Sequence, residues 1–324
     1  MTQAEAILQD EIHRRGPIPF GRFMEVALYH PDCGYYRRNR DPFGKTGDFF
    51  TAGQLQPVFG ILIAALVRRL RRDLGSPEQF TVVELGAGRG ELREALSEFP
   101  YIPVELDSGV LPSRLTGVIF SNEFFDALPV DVAVRHGDTF FERLVGCAAG
   151  GFVWVDGPPL AGEHAEFARR YAGGAQDGAV VEIHLEALRW LQRIADCLQS
   201  GFVLSIDYGY TSRELCRYSA GTLMSYHRHS ATEDVFARPG EQDITSHIPF
   251  SALQEHGASL GLEFVSLHSL ARTLFEAGEE DQFAAALAAD NEEDRLQRRL
   301  QLKTLLYGLG ERFRTLLQRK LPAQ

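Results

Sequence analysis

The chain has 324 residues and a mass of 36.1 kDa, with 44 acidic and 33 basic side chains, a formal net charge of −11 and a sequence pI near 5.4. This acidic balance argues against nucleic acid as the main partner, because duplex binding depends on clustered positive charge that meets phosphate. A hydrophobic fraction of 44% supports a buried core and excludes a largely disordered chain.

Cysteine usage and the N-terminal sequence indicate the compartment. The cysteines are far apart and form no CxxC pair, so the sequence predicts neither a zinc site nor a disulfide framework. The first twenty residues lack the apolar core of a signal peptide, and no apolar run approaches the ~20 residues of a membrane span. We therefore expect a soluble protein of the reducing cytoplasm, with no bound metal and no membrane span.

The N-terminal quarter of the sequence predicts three helices separated by turn-rich segments. Helices are expected from Ala4 to about Ile12 and from Phe20 to Leu28, with the breaker Gly16-Pro17-Ile18-Pro19 between them. Residues 37–53 are rich in glycine and charge without a hydrophobic period, so we expect a loop or lid there. The run from Val58 to Leu70 has the spacing of a well-buried helix with a basic end.

From Phe80 onward, short apolar runs alternate with amphipathic runs, which is typical of a parallel sheet covered by helices. The segment from Val130 to Gly157 instead alternates apolar and polar positions, which predicts a β-hairpin or a small antiparallel sheet. A helix is expected from Glu182 to Gln199, and the tail from Asp281 is expected to be helical. The predicted strands of the main sheet are Phe80 to Leu85, Tyr101 to Leu106, Gly117 to Asn122, Gly201 to Asp207 and Leu262 to His268.

A glycine-rich turn follows the first predicted strand and gives the sharpest local signal. Gly86, Gly88 and Gly90 alternate directly after that strand, and a helix is expected to begin behind them. The spacing is G-x-G-x-G rather than the G-x-G-x-x-G of dinucleotide folds. Glu84 stands two residues before the first glycine, where a carboxylate would repel a pyrophosphate but suits an ammonium group. The pattern therefore favours S-adenosylmethionine over a nicotinamide cofactor.

Polar residues at the ends of the next two strands extend this candidate site. Glu105 lies 21 residues after Glu84, at the position where an acid commonly hydrogen-bonds ribose hydroxyls, with Asp107 as a nearby competitor. Asn122 and Glu123 follow the third strand, and the carboxyl ends of parallel strands are where ligands collect. A helix cap would also explain the latter two residues.

Eight segments in consistent order resemble the MidA-like S-adenosylmethionine-dependent methyltransferases, a family whose mitochondrial members are complex I assembly factors and protein arginine methyltransferases. The matching segments are GPIPFGRFMEVALYHPDCGYY, FGKTGDFFTA, VVELGAGRGEL, SNEFFDALPV, VLSIDYGY, GTLMSYHRH, GEQDITSHIPFSAL and GERFRTL.

The resemblance implies an α/β fold: a class I, Rossmann-like methyltransferase with a seven-stranded sheet. It also implies an N-terminal helical cap and lid loop (1–75), a methyltransferase core (76–270) and a C-terminal helical region (271–324) packed on the core. Insertions carrying the β-hairpin and helical elements are expected at about 130–160 and 211–250. Two departures weaken the match. In the first, Gly53-Gln54-Leu55-Gln56 replaces the family's Pro-Glu-Ile-Ser, so a carboxylate is missing. In the second, only 17 positions separate Glu105 from Asn122. A helix and a strand that often carry adenine contacts are therefore expected to be trimmed.

By the same resemblance, residues are assigned to the two ligands. The cofactor S-adenosyl-L-methionine is expected to contact Glu84, Gly86, Gly88, Gly90, Glu105 and, from the cap, Asp48. The implied activity is methyl transfer to an arginine of a protein substrate, linked to respiratory complex assembly. Carboxylates suit this chemistry because they pair with a guanidinium in bidentate geometry. Glu123 and Asp126 are therefore the catalytic candidates, with Asn122 beside them; their spacing of three would put the two acids on one face of a helix.

Residues downstream are candidates for substrate binding. Tyr208 and Tyr210 end a predicted strand at the same edge of the sheet, where they would wall a substrate channel or simply pack in the core. His227 and Asp243 lie in polar, glycine-bounded loops that we expect to close over the substrate. No paired metal-ligand spacing accompanies these histidines.

Three functions remain in competition at the level of sequence. The first is a protein arginine methyltransferase. The second is an assembly or scaffold protein that keeps the fold and the cofactor without catalysis, which the two departures motivate. The third, a nicotinamide oxidoreductase, is disfavoured by the glycine spacing. A homo-oligomer is compatible with the terminal helices.

Overall fold

The computed structural model describes residues 1–38, 53, 55–106, 108–228 and 230–322. The helices of the described ranges are α1 (Gln3–Arg15), α2 (Phe20–Tyr29), α3 (Val58–Asp73), α4 (Gly162–Tyr171), α5 (Leu185–Cys197), α6 (Phe250–Ser259), α7 (Leu270–Glu279), α8 (Ala284–Leu287) and α9 (Glu292–Tyr307). The strands are β1 (Ile18–Pro19), β2 (Thr81–Leu85), β3 (Tyr101–Val104), β4 (Leu115–Asn122), β5 (Asp131–His136), β6 (Thr139–Ala148), β7 (Gly151–Pro159), β8 (Val180–Ile183), β9 (Leu198–Asp207), β10 (Gly209–Tyr210), β11 (Met224–His227), β12 (Ser230–Thr232), β13 (Asp243–Thr245), β14 (Ile248–Pro249), β15 (Glu263–Ser269) and β16 (Arg314–Lys320).

The chain divides into two compact units. Unit 1 comprises Met1–Phe50, Asp126–Leu188 and Tyr210–Ser251, and unit 2 comprises Thr51–Phe125, Arg189–Gly209 and Ala252–Gln324. Each unit has its own buried apolar cluster. The three-part division expected from the sequence stays a prediction about domains.

Unit 2 is built on a sheet of six strands in the described residues, in the order β15-β16-β9-β4-β2-β3. Strands β3, β2, β4 and β9 run parallel, and β16 is antiparallel to both of its neighbours. Val82, Val118 and Phe120 are fully buried, as expected for parallel strands whose near-continuous apolar runs are covered on both faces. Helices α3, α7 and α9 supply further side chains to the same core. The predicted α/β class is confirmed, whereas the count of seven strands is not.

Two local expectations in unit 2 were wrong. The residues after Gly90 form a run of turns rather than a helix, with hydrogen bonds such as that from the Arg93 N–H to the Gly90 carbonyl. The tail is not helical to its end, because β16 inserts between β15 and β9. Only Thr315-Leu316-Leu317-Gln318 of that strand is buried between charged flanks, so its apolar pattern is too short to predict a strand.

Unit 1 contains a five-stranded antiparallel sheet in which β1, β6, β5 and β8 are neighbours and β7 pairs with β6. The predicted antiparallel structure between Val130 and Gly157 is thereby confirmed. A second sheet has the order β12-β11-β13. Helix α1 begins in a capping box between Thr2 and Glu5, and α2 contributes Phe20 and Phe23 to an aromatic cluster.

Candidate functional site

The glycine turn lies at the carboxyl end of β2 in unit 2. Gly86, Gly88 and Gly90 have φ values of 65°, 55° and 76°, a region that favours glycine. A side chain at Gly86 would also bring its Cβ to 3.1 Å from the Phe124 ring. The turn therefore requires glycine for its backbone shape and, at Gly86, for the space beside it.

Glu105 holds this turn from the neighbouring strand. It follows β3, and its carboxylate accepts a hydrogen bond of 2.9 Å from the Gly88 N–H. Residues 105–114 then lead to β4, and the described residues of this connection form neither a helix nor a strand. The short connection expected from the sequence is therefore seen, and it leaves Glu105 at the edge of the glycine turn.

Glu84 is buried within β2, with 6% of its surface exposed, and accepts a hydrogen bond from the Tyr101 hydroxyl. Burial raises the pKa of Glu84 to about 8, the Tyr101 hydrogen bond opposes that rise, and Glu91 and Glu105 add to it. A cationic group near Glu84 would offset the desolvation that raises this pKa. Tyr101 could not be identified from the sequence, because only the register of β2 against β3 brings it to Glu84.

The raised pKa of Glu84 predicts a pH-dependent stability of the cofactor-free protein. The folded state holds the proton more tightly than the unfolded chain, so the free energy of unfolding falls as pH rises from about 4.5 to about 8. Glu84→Gln is expected to remove this pH dependence, which amounts to a change in the free energy of unfolding on the order of a few kcal/mol over the whole interval. Urea unfolding between pH 5 and 9 measures it, with the exposed Glu94→Gln as the control; equal slopes in wild type and Glu84→Gln would contradict the assignment.

Asn122 and Glu123 lie at the carboxyl end of β4, next to the glycine turn. Leu85 and Ser121 are paired across β2 and β4, so Gly86 and Asn122 are the next residues along each strand. Asn122 donates a 3.1 Å hydrogen bond from Nδ2 to the Glu123 carboxylate, and its buried Oδ1 accepts none from the described residues. Glu123 has a φ of 52°, a strained conformation for a residue with a side chain.

The segment from Asn122 to Asp126 is not helical, so the condition for Glu123 and Asp126 to share a helix face is not met. Residues 123–128 contain bends and a short turn at Asp126 and Ala127, and Glu123 leaves the strand in the left-handed region. Asp126 is buried and belongs to unit 1, whereas Glu123 belongs to unit 2.

Asp207 stabilises the turn that carries Glu123, a role that the sequence interpretation missed. It ends β9 with 1% of its surface exposed, and its two carboxylate oxygens accept the N–H groups of Phe125 at 3.0 Å and Tyr208 at 2.8 Å. The Glu123 N–H also donates to the Ile206 carbonyl of β9, at 2.9 Å. The sequence shows an acid at a strand end, but the pairing of β9 with β4 is needed to connect it with Glu123.

Asp207→Asn is expected to lower stability by about 1–3 kcal/mol, because an amide NH₂ cannot accept the buried Phe125 N–H. Denaturant unfolding measures this loss, with Asp196→Asn on the exposed face of α5 as the control, which should keep the stability of the wild type. Unchanged stability in Asp207→Asn would show that the turn does not depend on this carboxylate.

The substrate-binding candidates of unit 1 have partners inside that unit. Asp243 is buried and accepts a 2.8 Å hydrogen bond from the Tyr36 hydroxyl. Burial is the largest cause that raises the pKa of Tyr36 well above its ordinary value. The nearby charges of Asp243, Tyr29 and Asp126 raise this pKa further. His227 lies between the Glu241 carbonyl and Arg238, each at 3.0 Å from a ring nitrogen.

The remaining candidates differ in exposure. Tyr210 is 3% exposed, contacts the Tyr218 ring, and burial raises its pKa well above the ordinary value. Tyr208 is half-buried in unit 2 and packs on Phe313, with ring centroids 4.0 Å apart. Asp48 and Asp107 lie outside the described residues. The roles assigned to all of these residues stay predictions.

The described residues contain neither a metal cluster nor a membrane-spanning helix. Within the described ranges, no group of three or more His, Cys, Asp and Glu side chains could hold a metal ion. No helix in that part of the chain is both long enough and apolar enough to cross a bilayer.

The chain that carries this site matches a known protein family. Residues 94–267, more than half of the chain, match the family described as "Putative S-adenosyl-L-methionine-dependent methyltransferase". The chain belongs to this family. Its cofactor is S-adenosyl-L-methionine, as the glycine turn predicted.

A solved structure of similar fold agrees with this assignment. A protein from Burkholderia thailandensis, bound to S-adenosyl-homocysteine, is 30% identical and superposes with a TM-score of 0.84 over 98% of this chain and 92% of its own. A native structure of a Burkholderia thailandensis protein, 31% identical, has the same TM-score of 0.84 and covers 98% of this chain and 91% of its own.

A curated relative from Drosophila melanogaster is named "Protein arginine methyltransferase NDUFAF7 homolog, mitochondrial". It is 25% identical over 78% of this chain and 70% of its own length. The human NDUFAF7, with the same activity and location in its name, is 25% identical over 94% of this chain and 81% of its own.

The cytoplasmic location expected from the sequence was wrong, because the named relatives are mitochondrial proteins. The expectation rested on widely spaced cysteines, and Cys33, Cys147, Cys197 and Cys216 are all free thiols. Free cysteines indicate a reducing compartment and do not distinguish the cytosol from others.

The described residues fit the family's cofactor. The glycine turn leaves backbone room that a Cβ would fill at Gly86, and Glu105, directly after the adjacent strand β3, reaches the turn. The buried Asn122 Oδ1 is an acceptor still available at the neighbouring strand end. Glu84, Gly86, Gly88, Gly90 and Glu105 are therefore the residues of unit 2 that could hold S-adenosylmethionine.

Proposed function

We propose that this protein methylates an arginine side chain of a protein substrate. Arginine as the methyl acceptor is supported by the names of relatives that are about a quarter identical to this chain, and by the chemistry of the candidate site. A site that takes a sulfonium cofactor and a guanidinium receives two positive charges, which acidic side chains stabilise.

The observation that carries this proposal is the Asn122–Glu123 pair at the end of β4. Bound S-adenosylmethionine supplies an electrophilic methyl group on its sulfonium. Glu123 would accept hydrogen bonds from the guanidinium and fix its plane, so that one nitrogen points at the methyl carbon. Asn122 orients the Glu123 carboxylate through its 3.1 Å hydrogen bond.

The strained backbone of Glu123 fits this role. A φ of 52° costs free energy, and the hydrogen bonds of the Glu123 N–H to Ile206 and of the Phe125 N–H to Asp207 hold the turn in place. A carboxylate held rigidly before substrate binds loses little entropy when it aligns a guanidinium. Asp126 stays a second catalytic candidate from the sequence alone.

The proposal is tested by incubating the full-length protein with S-adenosylmethionine labelled on the methyl group and a cell lysate. We expect one or a few labelled protein bands whose hydrolysate contains labelled methylarginine. Label on lysine or on a small molecule would reject arginine as the acceptor, although the protein would still be a methyltransferase.

A non-catalytic scaffold that retains the cofactor site is the second candidate. The residues that favour it are Gly53-Gln54-Leu55-Gln56, which lack the carboxylate of the family pattern, and the short connection after Glu105. Tight S-adenosyl-homocysteine binding without transfer to any lysate fraction would favour the scaffold. The link to respiratory complex assembly stays a prediction from the family resemblance.

A further inference from the structure

Helix α9 (Glu292–Tyr307) of unit 2 exposes an apolar stripe on the face opposite its packed side. Leu296 and Leu300 are each 56% exposed and Tyr307 is 81% exposed. At 3.6 residues per turn, these three positions lie within about 40° of one another around the helix axis. Gln301 and Leu305, the buried residues of α9, lie on the opposite side. Large apolar side chains aligned in this way are uncommon on a surface without a partner.

The charges on and beside the stripe change sign along the helix, and Lys303 lies on the stripe itself, between Leu300 and Tyr307. The first turn is acidic, with Glu292, Glu293 and Asp294, and basic residues follow at Arg295, Arg298, Arg299 and Lys303. An antiparallel copy of the same helix would place the acidic turn of each beside the basic part of the other. With the pair centred near residue 298, Leu296 of one copy faces Leu300 of the other, and Glu293 faces Lys303.

We propose that the α9 stripe binds a second copy of this chain, forming a two-fold symmetric antiparallel helix pair. A two-fold interface requires a self-complementary surface, and this helix has both the apolar seam and the opposite charges at matching positions. The whole chain carries a net charge of −11, so two copies repel each other over most of their surface. The basic part of α9 removes that repulsion locally.

The expected affinity follows from the size of the contact. A helix of 16 residues is about 24 Å long, and one helix pair buries less than a standard interface. We therefore expect a dissociation constant of about 1–50 µM at low salt, weakening with ionic strength because the charged pairs are exposed.

Sedimentation equilibrium of the full-length protein, from about 5 to about 200 µM, tests this inference. The wild type should dimerise reversibly, and Leu296→Arg with Leu300→Arg should weaken the dimer at least 10-fold. Phe264→Arg, at a 46% exposed apolar residue on β15, is the control and should leave the dimer unchanged. Circular dichroism shows whether each variant is folded.

Charge exchange makes the test specific for the antiparallel register. Glu293→Lys and Lys303→Glu should each weaken the dimer, and the double variant in one chain should restore it to within about 3-fold of the wild type. A monomer at every concentration would overturn the proposal. So would a dimer that is unaffected by the arginine substitutions, or a double variant weaker than both single variants.

Discussion

Glu123→Gln is expected to lower the rate of methyl transfer at least 100-fold, about 2.7 kcal/mol of transition-state stabilisation, while S-adenosyl-homocysteine affinity stays within about 3-fold. Glutamine keeps the shape of the side chain and can still accept the Asn122 hydrogen bond. It lacks the negative charge that would pair with a guanidinium. The loss should therefore appear in transfer and in binding of the arginine substrate, not in cofactor binding.

Single-turnover transfer and calorimetric titration with S-adenosyl-homocysteine separate these effects. Glu94→Gln, an exposed residue in the turns after Gly90, makes the same chemical change away from the strand ends and should behave as wild type. Full activity in Glu123→Gln would remove Glu123 from the mechanism. A loss of cofactor affinity equal to the loss of rate would make it a cofactor ligand instead.

Gly86→Ala is expected to weaken S-adenosyl-homocysteine binding about 10- to 100-fold. A side chain at φ 65° costs about 1–2 kcal/mol, and its Cβ would lie 3.1 Å from the Phe124 ring. Phe124 packs edge-on against Trp190, with ring centroids 5.1 Å apart, so its ring has little freedom to move away. The turn should change shape, and the Glu105 contact with the Gly88 N–H should change with it.

The matched control for this prediction is Gly178→Ala in unit 1. Gly178 has a similar φ of 78°, and an added Cβ there would meet nothing within 4 Å. Both variants should lose stability in denaturant unfolding, with the larger loss in Gly86→Ala because of the Phe124 contact, while only Gly86→Ala loses cofactor affinity. Equal affinities in the two variants would show that the turn after β2 does not bind the cofactor.

Much of the framework could be predicted from local sequence patterns. The strands from Phe80, Gly117 and Gly201 are apolar runs of ordinary strand length, and α3 has a continuous apolar face, so each pattern is complete within its own segment. The spacing of Gly86, Gly88 and Gly90 after a strand similarly predicted the cofactor class, because it reports a local backbone shape.

The features that could not be predicted depend on contacts between distant segments. Strand β16 is short in apolar residues and is stable only because β9 and β15 pair with it on both sides. The segment that carries Glu123 is not helical, because Ile206 and Asp207 of β9 bind its backbone N–H groups. Tyr101 meets Glu84 only through strand register. Sequence spacing does not contain these pairings.

A crystal structure of the protein with S-adenosyl-homocysteine tests the central claim most directly. We predict that the ligand lies at the carboxyl ends of β2, β3 and β4, with the Glu105 carboxylate within about 2.6–3.2 Å of a ribose hydroxyl and the glycine turn against the homocysteine portion. The Glu123 carboxylate should face the thioether sulfur from the open side. A ligand bound elsewhere, with Glu105 contacting only the Gly88 N–H, would contradict the account.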